Sequence, residues 1–131
     1  MATVTLLTDD ELSPEAAAVF ADIRAARGTD YVNNFWRALA HDPVTLRATW
    51  ERLKDVMAPG ALDPLVKEML YVAVSTANGC SYCIHSHTAG AKAKGMSAAQ
   101  HAELLAVIGM AMQTNGLVTA MQVPVDEVFE V

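Results

Sequence analysis

Charge, aromatic rings and cysteine are all scarce in this chain. Of 131 residues, 18% are Asp, Glu, Lys or Arg, 6% are aromatic and two are cysteine. With 53% hydrophobic residues the chain is too apolar to be disordered, and its length is that of one domain, so a single domain over residues 1–131 is expected. A basic surplus is also missing. Nine Lys and Arg face fifteen Asp and Glu, a formal net charge of −6 at pH 7, which argues against a surface that tracks nucleic-acid phosphates. The longest uninterrupted apolar run, Leu104–Met112, is far shorter than the ~20 residues that cross a bilayer. Residues 1–10 carry neither a basic lead nor an apolar stretch of signal-peptide length. The expectation is a soluble cytoplasmic protein with no membrane anchor.

No period-two alternation is long enough for a sheet, and Gly and Pro fall as punctuation between helix-like blocks. An all-α fold of about six helices follows. Ser13-Pro14, Asp42-Pro43 and Asp63-Pro64 have the residue types of a helix cap followed by a first turn, and Ser97 caps a later helix. Ala17, Phe20, Ile23 and Ala26 share one helical stripe, as do Leu46, Trp50, Leu53 and Met57. A short helix is predicted from about Val32 to Ala40. The helix after Asp63-Pro64 ends at Asn78-Gly79, and the next ends near Lys94-Gly95. The sixth runs from about Ala98 to Met112, with a break at Asn115-Gly116, and the tail from Val123 is left unassigned. Met69–Val74 and the sixth helix have almost no polar face, which predicts burial in the core or between subunits. A chain this small can bury only ~65–70% of its unfolded surface, so self-association is the expected source of the extra burial.

Chemistry concentrates in Gly79-Cys80-Ser81-Tyr82-Cys83-Ile84-His85-Ser86-His87. On a helix, Cys83 and His87 fall within about 60° and about 20° of the direction of Cys80, whereas His85 points about 140° away. His87, one turn beyond Cys83, is therefore the candidate base. His85 is expected to be satisfied by backbone, and Tyr82 and Trp36 to be core or interface aromatics. An ordinary thiol with a pKa of ~8.5 needs help to ionise; the helix start after Asn78-Gly79 favours Cys80 and the imidazole favours Cys83. Position alone leaves open which sulfur attacks first. Glu68 would lie about 18 Å from Cys80 on a continuous helix, so it reaches the site only if the chain folds back at Asn78-Gly79 and brings it near His87. Flanked by apolar residues there, it is expected to hold a proton near neutral pH. Zinc held by Cys80, Cys83 and His87 is an alternative that lacks a clear fourth ligand. A thioredoxin-like site lacks its βαβ context.

Glu68, eleven intervening residues, then Cys80-x-x-Cys83-x-x-x-His87 in a helical chain resembles the AhpD-like alkylhydroperoxidases of the carboxymuconolactone decarboxylase superfamily. The likeness is strongest over residues 63–95 and departs from the pattern at Tyr82, where those enzymes carry a histidine. It implies an all-α oligomer, commonly a trimer or hexamer. It also implies a peroxidase cycle in which Cys83 attacks a hydroperoxide, Cys80 resolves the sulfenic acid to a disulfide, and His87 and Glu68 relay protons. A dithiol reductant is then required, and no metal or organic cofactor. A non-catalytic redox-sensing oligomer and a zinc-stabilised helical module remain the alternatives.

Overall fold

The computed structural model describes residues 1–130; Val131, the last residue of the tail, lies outside them. Six α-helices account for nearly all regular structure: α1 (Pro14–Arg27), α2 (Asn34–Leu39), α3 (Pro43–Met57), α4 (Pro64–Ala77), α5 (Ser81–Ala93) and α6 (Ala98–Met121). Short 3-10 turns at Asp9–Glu11 and Glu127–Phe129 flank them, and no strand is present among the described residues. The fold is all-α.

Four of the helix starts follow the predicted chemistry. Ser13, Asp42, Asp63 and Ser97 each turn a side-chain oxygen onto an otherwise unpaired amide of the first turn, and three of them precede a proline that needs no amide partner. Gln100 returns the bond to the Ser97 amide and completes a capping box.

The chain divides into two compact units, Met1–Ala58 and the residues from Pro59 onward. In the first, Ala16, Val19, Phe20 and Ile23 of α1 meet Val32, Trp36, Ala40, Leu46 and Trp50 in one buried cluster. The α1 stripe is rotated slightly from the expected one, since Ala17 and Ala26 are exposed. Trp36 and Trp50 meet edge to face at 5.6 Å, an arrangement favoured by the ring quadrupoles. At the rim of this unit, Asp9 is held by Arg24 and Arg37, and Asp22 by Lys54 and the Trp50 indole.

In the second unit α4 and α5 pack along one another, joined by a tight turn in which Gly79 takes φ +66°, a conformation that costs glycine little. The pair is antiparallel, because Glu68 near the start of α4 contacts His87 and Lys94 near the end of α5. α6 also packs on α4.

Two expectations change here. α6 does not stop at Met112 but continues through Asn115-Gly116 to Met121. A lone glycine costs a helix only about 1 kcal/mol, and the apolar residues on both sides keep the backbone helical. The apolar helices are also not enclosed within the chain. α4 buries Glu68, Val72 and Ser75 while Val66, Leu70 and Val74 are exposed, and no residue of α6 is buried. Length and composition alone would let α6 span a bilayer.

Truncating Phe20 to alanine should lower unfolding free energy by about 3–5 kcal/mol in a denaturant titration, the usual cost of emptying a core aromatic site. A loss below about 1 kcal/mol would show that this ring does not organise the first unit.

Candidate active site

The turn at Asn78-Gly79 does what the spacing requires, bringing the Glu68 carboxylate against the second half of α5. Glu68 is 6% exposed. Its Oε2 lies 2.7 Å from His87 Nδ1, and its Oε1 accepts a hydrogen bond from Lys94 Nζ, also at 2.7 Å. Gly90, one turn beyond His87 on α5, makes the approach possible. A Cβ at that position would stand 3.0 Å from the carboxyl carbon and from both oxygens. Tyr71, one turn beyond Glu68 on α4, stacks on the imidazole with centroids 3.6 Å apart and planes 17° apart. The His87 ring is therefore fixed at Nδ1 by a carboxylate and on one face by an aromatic ring.

Burial alone would push the Glu68 pKa up, but hydrogen bonds from His87 and Lys94, with the Lys94 charge, outweigh it and hold the carboxyl below its ordinary value. This overturns the expectation that Glu68 keeps a proton near neutral pH. Desolvation is legible from the apolar flank of Glu68, whereas the bond from Lys94 is not. An ionised carboxylate has no proton to donate, so the proton between Glu68 and His87 sits on Nδ1, and Nε2 is the nitrogen left to gain or lose one.

The two cysteines form a second small unit at the start of α5, with no disulfide between them. Cys80 is the N-cap, and its sulfur accepts the Cys83 amide at 3.3 Å. Hydrogen bonding from the Cys83 thiol and amide lowers the Cys80 pKa. Cys83, donating its thiol proton to Cys80 and partly buried, is pushed up. Of the two sulfurs, Cys80 is the one whose ionisation these contacts favour.

The remaining candidates are placed as follows. His85 lies with Nδ1 2.8 Å from the Ser81 carbonyl oxygen, a backbone partner as expected. Trp36 is a core residue of the first unit, whereas Tyr82 is exposed. Among the described residues no group of three or more His, Cys, Asp or Glu side chains is arranged to hold a metal ion, so the zinc alternative gains no support from the geometry. Lys94, Gly90 and Tyr71 were not singled out from the sequence. Lys94 was legible in principle: seven residues after His87, it falls within about 20° of the same helical stripe.

The sequence pattern of the carboxymuconolactone decarboxylase family matches residues 43–126, nearly two thirds of the chain. No curated protein matches. A crystal structure of the alkylhydroperoxidase AhpD core from Rhodospirillum rubrum is 68% identical and superposes with a TM-score of 0.96, covering 100% of this chain and 98% of the other. On a family match of this extent and a likeness of this degree, the chain belongs to the carboxymuconolactone decarboxylase family and is one of its AhpD-like members.

Proposed function

We propose that this protein is a thiol peroxidase that reduces organic hydroperoxides through the Cys80–Cys83 pair and is restored by a dithiol reductant in a reducing, cytoplasmic compartment. The observation that carries the reading is the Glu68–His87 contact at 2.7 Å on the helix bearing both cysteines. It supplies an imidazole oriented by a carboxylate, one helical turn along the chain from Cys83, and an imidazole and a thiol pair are the equipment for proton transfer in sulfur chemistry. The 68%-identical alkylhydroperoxidase AhpD core supports the same class of substrate.

In the proposed cycle Cys83 attacks first. The reduced pair shares a proton between its sulfurs, and passing it to Cys80 makes Cys83 the thiolate without changing the charge of the pair. The Cys83 thiolate attacks the terminal peroxide oxygen and the O–O bond breaks. The alkoxide leaves with a proton from His87 as the alcohol, and Cys83 becomes a sulfenic acid. The Cys80 sulfur then displaces hydroxide from that sulfenic acid, and the proton Cys80 took from Cys83 leaves with the hydroxide as water, giving the disulfide. Two thiols and one hydroperoxide thus yield one disulfide, one alcohol and one water. His87 returns to its starting state as the dithiol reduces the disulfide. Glu68 orients the imidazole and stabilises its charged form, acting in the relay as a fixed anion. A second reading, favoured by the lowered pKa of Cys80, has Cys80 attack first and Cys83 resolve. A redox sensor without turnover uses the same disulfide but consumes a single equivalent of peroxide.

The exposed apolar surface of α4 and α6 supports a homo-oligomer, either trimer or hexamer, as the working form. α6 carries Glu103, Gln113, Thr114 and Asn115, whose polar groups are costly in lipid and readily satisfied against protein. Light scattering should give a mass of three or six chains; a monomer at micromolar concentration would remove this part of the proposal.

Cys83→Ser should abolish peroxide-dependent turnover. Cys80→Ser should react once and stop, with mass analysis finding one oxygen on Cys83; finding instead that Cys83→Ser gains one on Cys80 would reverse the order. Unchanged hydroperoxide consumption by Cys83→Ser and Cys80→Ser alike would refute the thiol mechanism.

Gly90→Ala should separate activity from stability. Alanine is the better helix former by about 1 kcal/mol, which offsets part of the cost of disturbing the buried carboxylate, so Tm should fall only modestly. The new Cβ displaces the Glu68 carboxylate, and turnover should fall on the order of tenfold. Full activity in this variant would show that the carboxylate position does not matter.

A further inference from the structure

We propose that Lys94 is a positioning residue for the thiol chemistry: by holding Oε1 of Glu68 it leaves Oε2 to His87 Nδ1 and so fixes which imidazole nitrogen exchanges the proton. Its bearing on turnover rests on the peroxidase reading above, whereas the contact and its effect on His87 do not.

The last torsion of a glutamate is broad and nearly two-fold, so a carboxylate held at one oxygen can swing and offer either oxygen to its partner. Here both oxygens are engaged at 2.7 Å by donors from the same helix, and Gly90 lies against the carboxyl between them. Rotation would break both bonds at once. A carboxyl released from Lys94 also becomes easier to protonate. Once protonated it can donate to Nδ1, leaving Nε2 to carry the hydrogen, which is the reverse of the tautomer a base needs.

The charges acting on Glu68 are those of Lys94 and His87, both on α5. From α4, the imidazole meets Glu68 itself and the phenol ring of Tyr71. α6, the other helix packed on α4, sets no charge against this carboxylate among the described residues. On α5 the remaining titratable groups of the same stripe are Cys80 and Cys83. Lys94 is thus the one permanently cationic side chain bound to the pair. Its backbone amide separately closes the end of α5 on the Gly90 and Ala91 carbonyls, a role that any side chain at this position preserves.

The sign of the effect follows from electrostatics. Removing a positive charge near His87 favours the imidazolium, so its titration midpoint must rise.

The experiment is a pH titration of the His87 ring by nitrogen NMR in the full-length protein, comparing wild type with Lys94→Met, Lys94→Gln, Lys94→Arg and Lys92→Met. Lys92, also in the last turn of α5, controls for loss of a helix-terminal cation. A raised midpoint with mixed tautomers in Lys94→Met and Lys94→Gln, and wild-type behaviour in Lys94→Arg and Lys92→Met, is the expected result. Iodoacetamide alkylation of the cysteine pair, which needs no peroxide, should show a displaced rising limb in both neutral variants and a wild-type one in Lys94→Arg and Lys92→Met. Wild-type ring signals and midpoint in both neutral variants overturn the proposal, as does an alkylation limb that stays in place. A wild-type protein that consumes no hydroperoxide yet shows these ring shifts would sink the peroxidase reading and leave the role of Lys94 standing.

Discussion

A carboxylate removed from water is unfavourable unless its charge is answered, and the second unit of this protein is arranged around answering one. Glu68 is buried where α4 meets α5, and two donors from α5 meet its two oxygens. Breaking such a cluster by deleting one partner leaves a buried charge uncompensated, whereas replacing all of it with apolar side chains is often neutral or stabilising. Stability is therefore a weak account of why a glutamate, a histidine and a lysine converge there. Chemistry is a better one, because the same contacts fix an imidazole in orientation and give its Nδ1 hydrogen an acceptor. The absence of a side chain at Gly90 fits that view: the helix gives up the better helix former and gains closeness to the carboxylate.

The cysteine pair follows a parallel logic with the sign reversed. Cys80 occupies a position where helix amides already favour an anion, and Cys83 adds both its amide and its thiol proton. One sulfur is made acidic at the expense of the other, so the two titrate as one coupled site rather than as independent thiols. Which sulfur meets an electrophile then depends on where that thiol proton sits when it arrives.

Much of this could be read from the residues before any coordinates. Ser13-Pro14, Asp42-Pro43, Asp63-Pro64 and Ser97 begin helices because capping is local chemistry, and local chemistry is written in adjacent residues. The fold-back at Asn78-Gly79 was legible for the same reason, and it carried Glu68 to His87. What escaped depends on packing between helices. Nothing in the spacing reveals that position 90 lies against a carboxylate; Lys94 shares the helical stripe of His87, but whether it reaches across to Glu68 or serves only as a helix-terminal cation depends on packing. For that reason the titration of Glu68 was expected in the wrong direction: burial is visible in an apolar flank, but a salt bridge from the next helix is not. Asn115-Gly116 misled for a related reason. The pair is a strong turn signal in isolation, yet in α6 the backbone continues as helix to Met121.

The apolar helices and the site also share an element, and this bears on why α4 is so poor in polar residues. Its Glu68–Val72–Ser75 stripe is buried, while Val66, Leu70 and Val74 face outward from the chain. Tyr71 belongs to both sides, since it is partly exposed and yet stacked on the His87 ring. Any protein surface laid over the outer face of α4 would shield that phenol and, through it, the imidazole. Water exclusion strengthens every electrostatic contact within reach, including those of Glu68 with His87 and Lys94. A polar outer face on α4 would keep the same hydrogen bonds but leave them in a wetter, weaker setting. The apolar outer face of α4 is in this sense part of the site's electrostatics, because it permits the ion pair behind it to be enclosed.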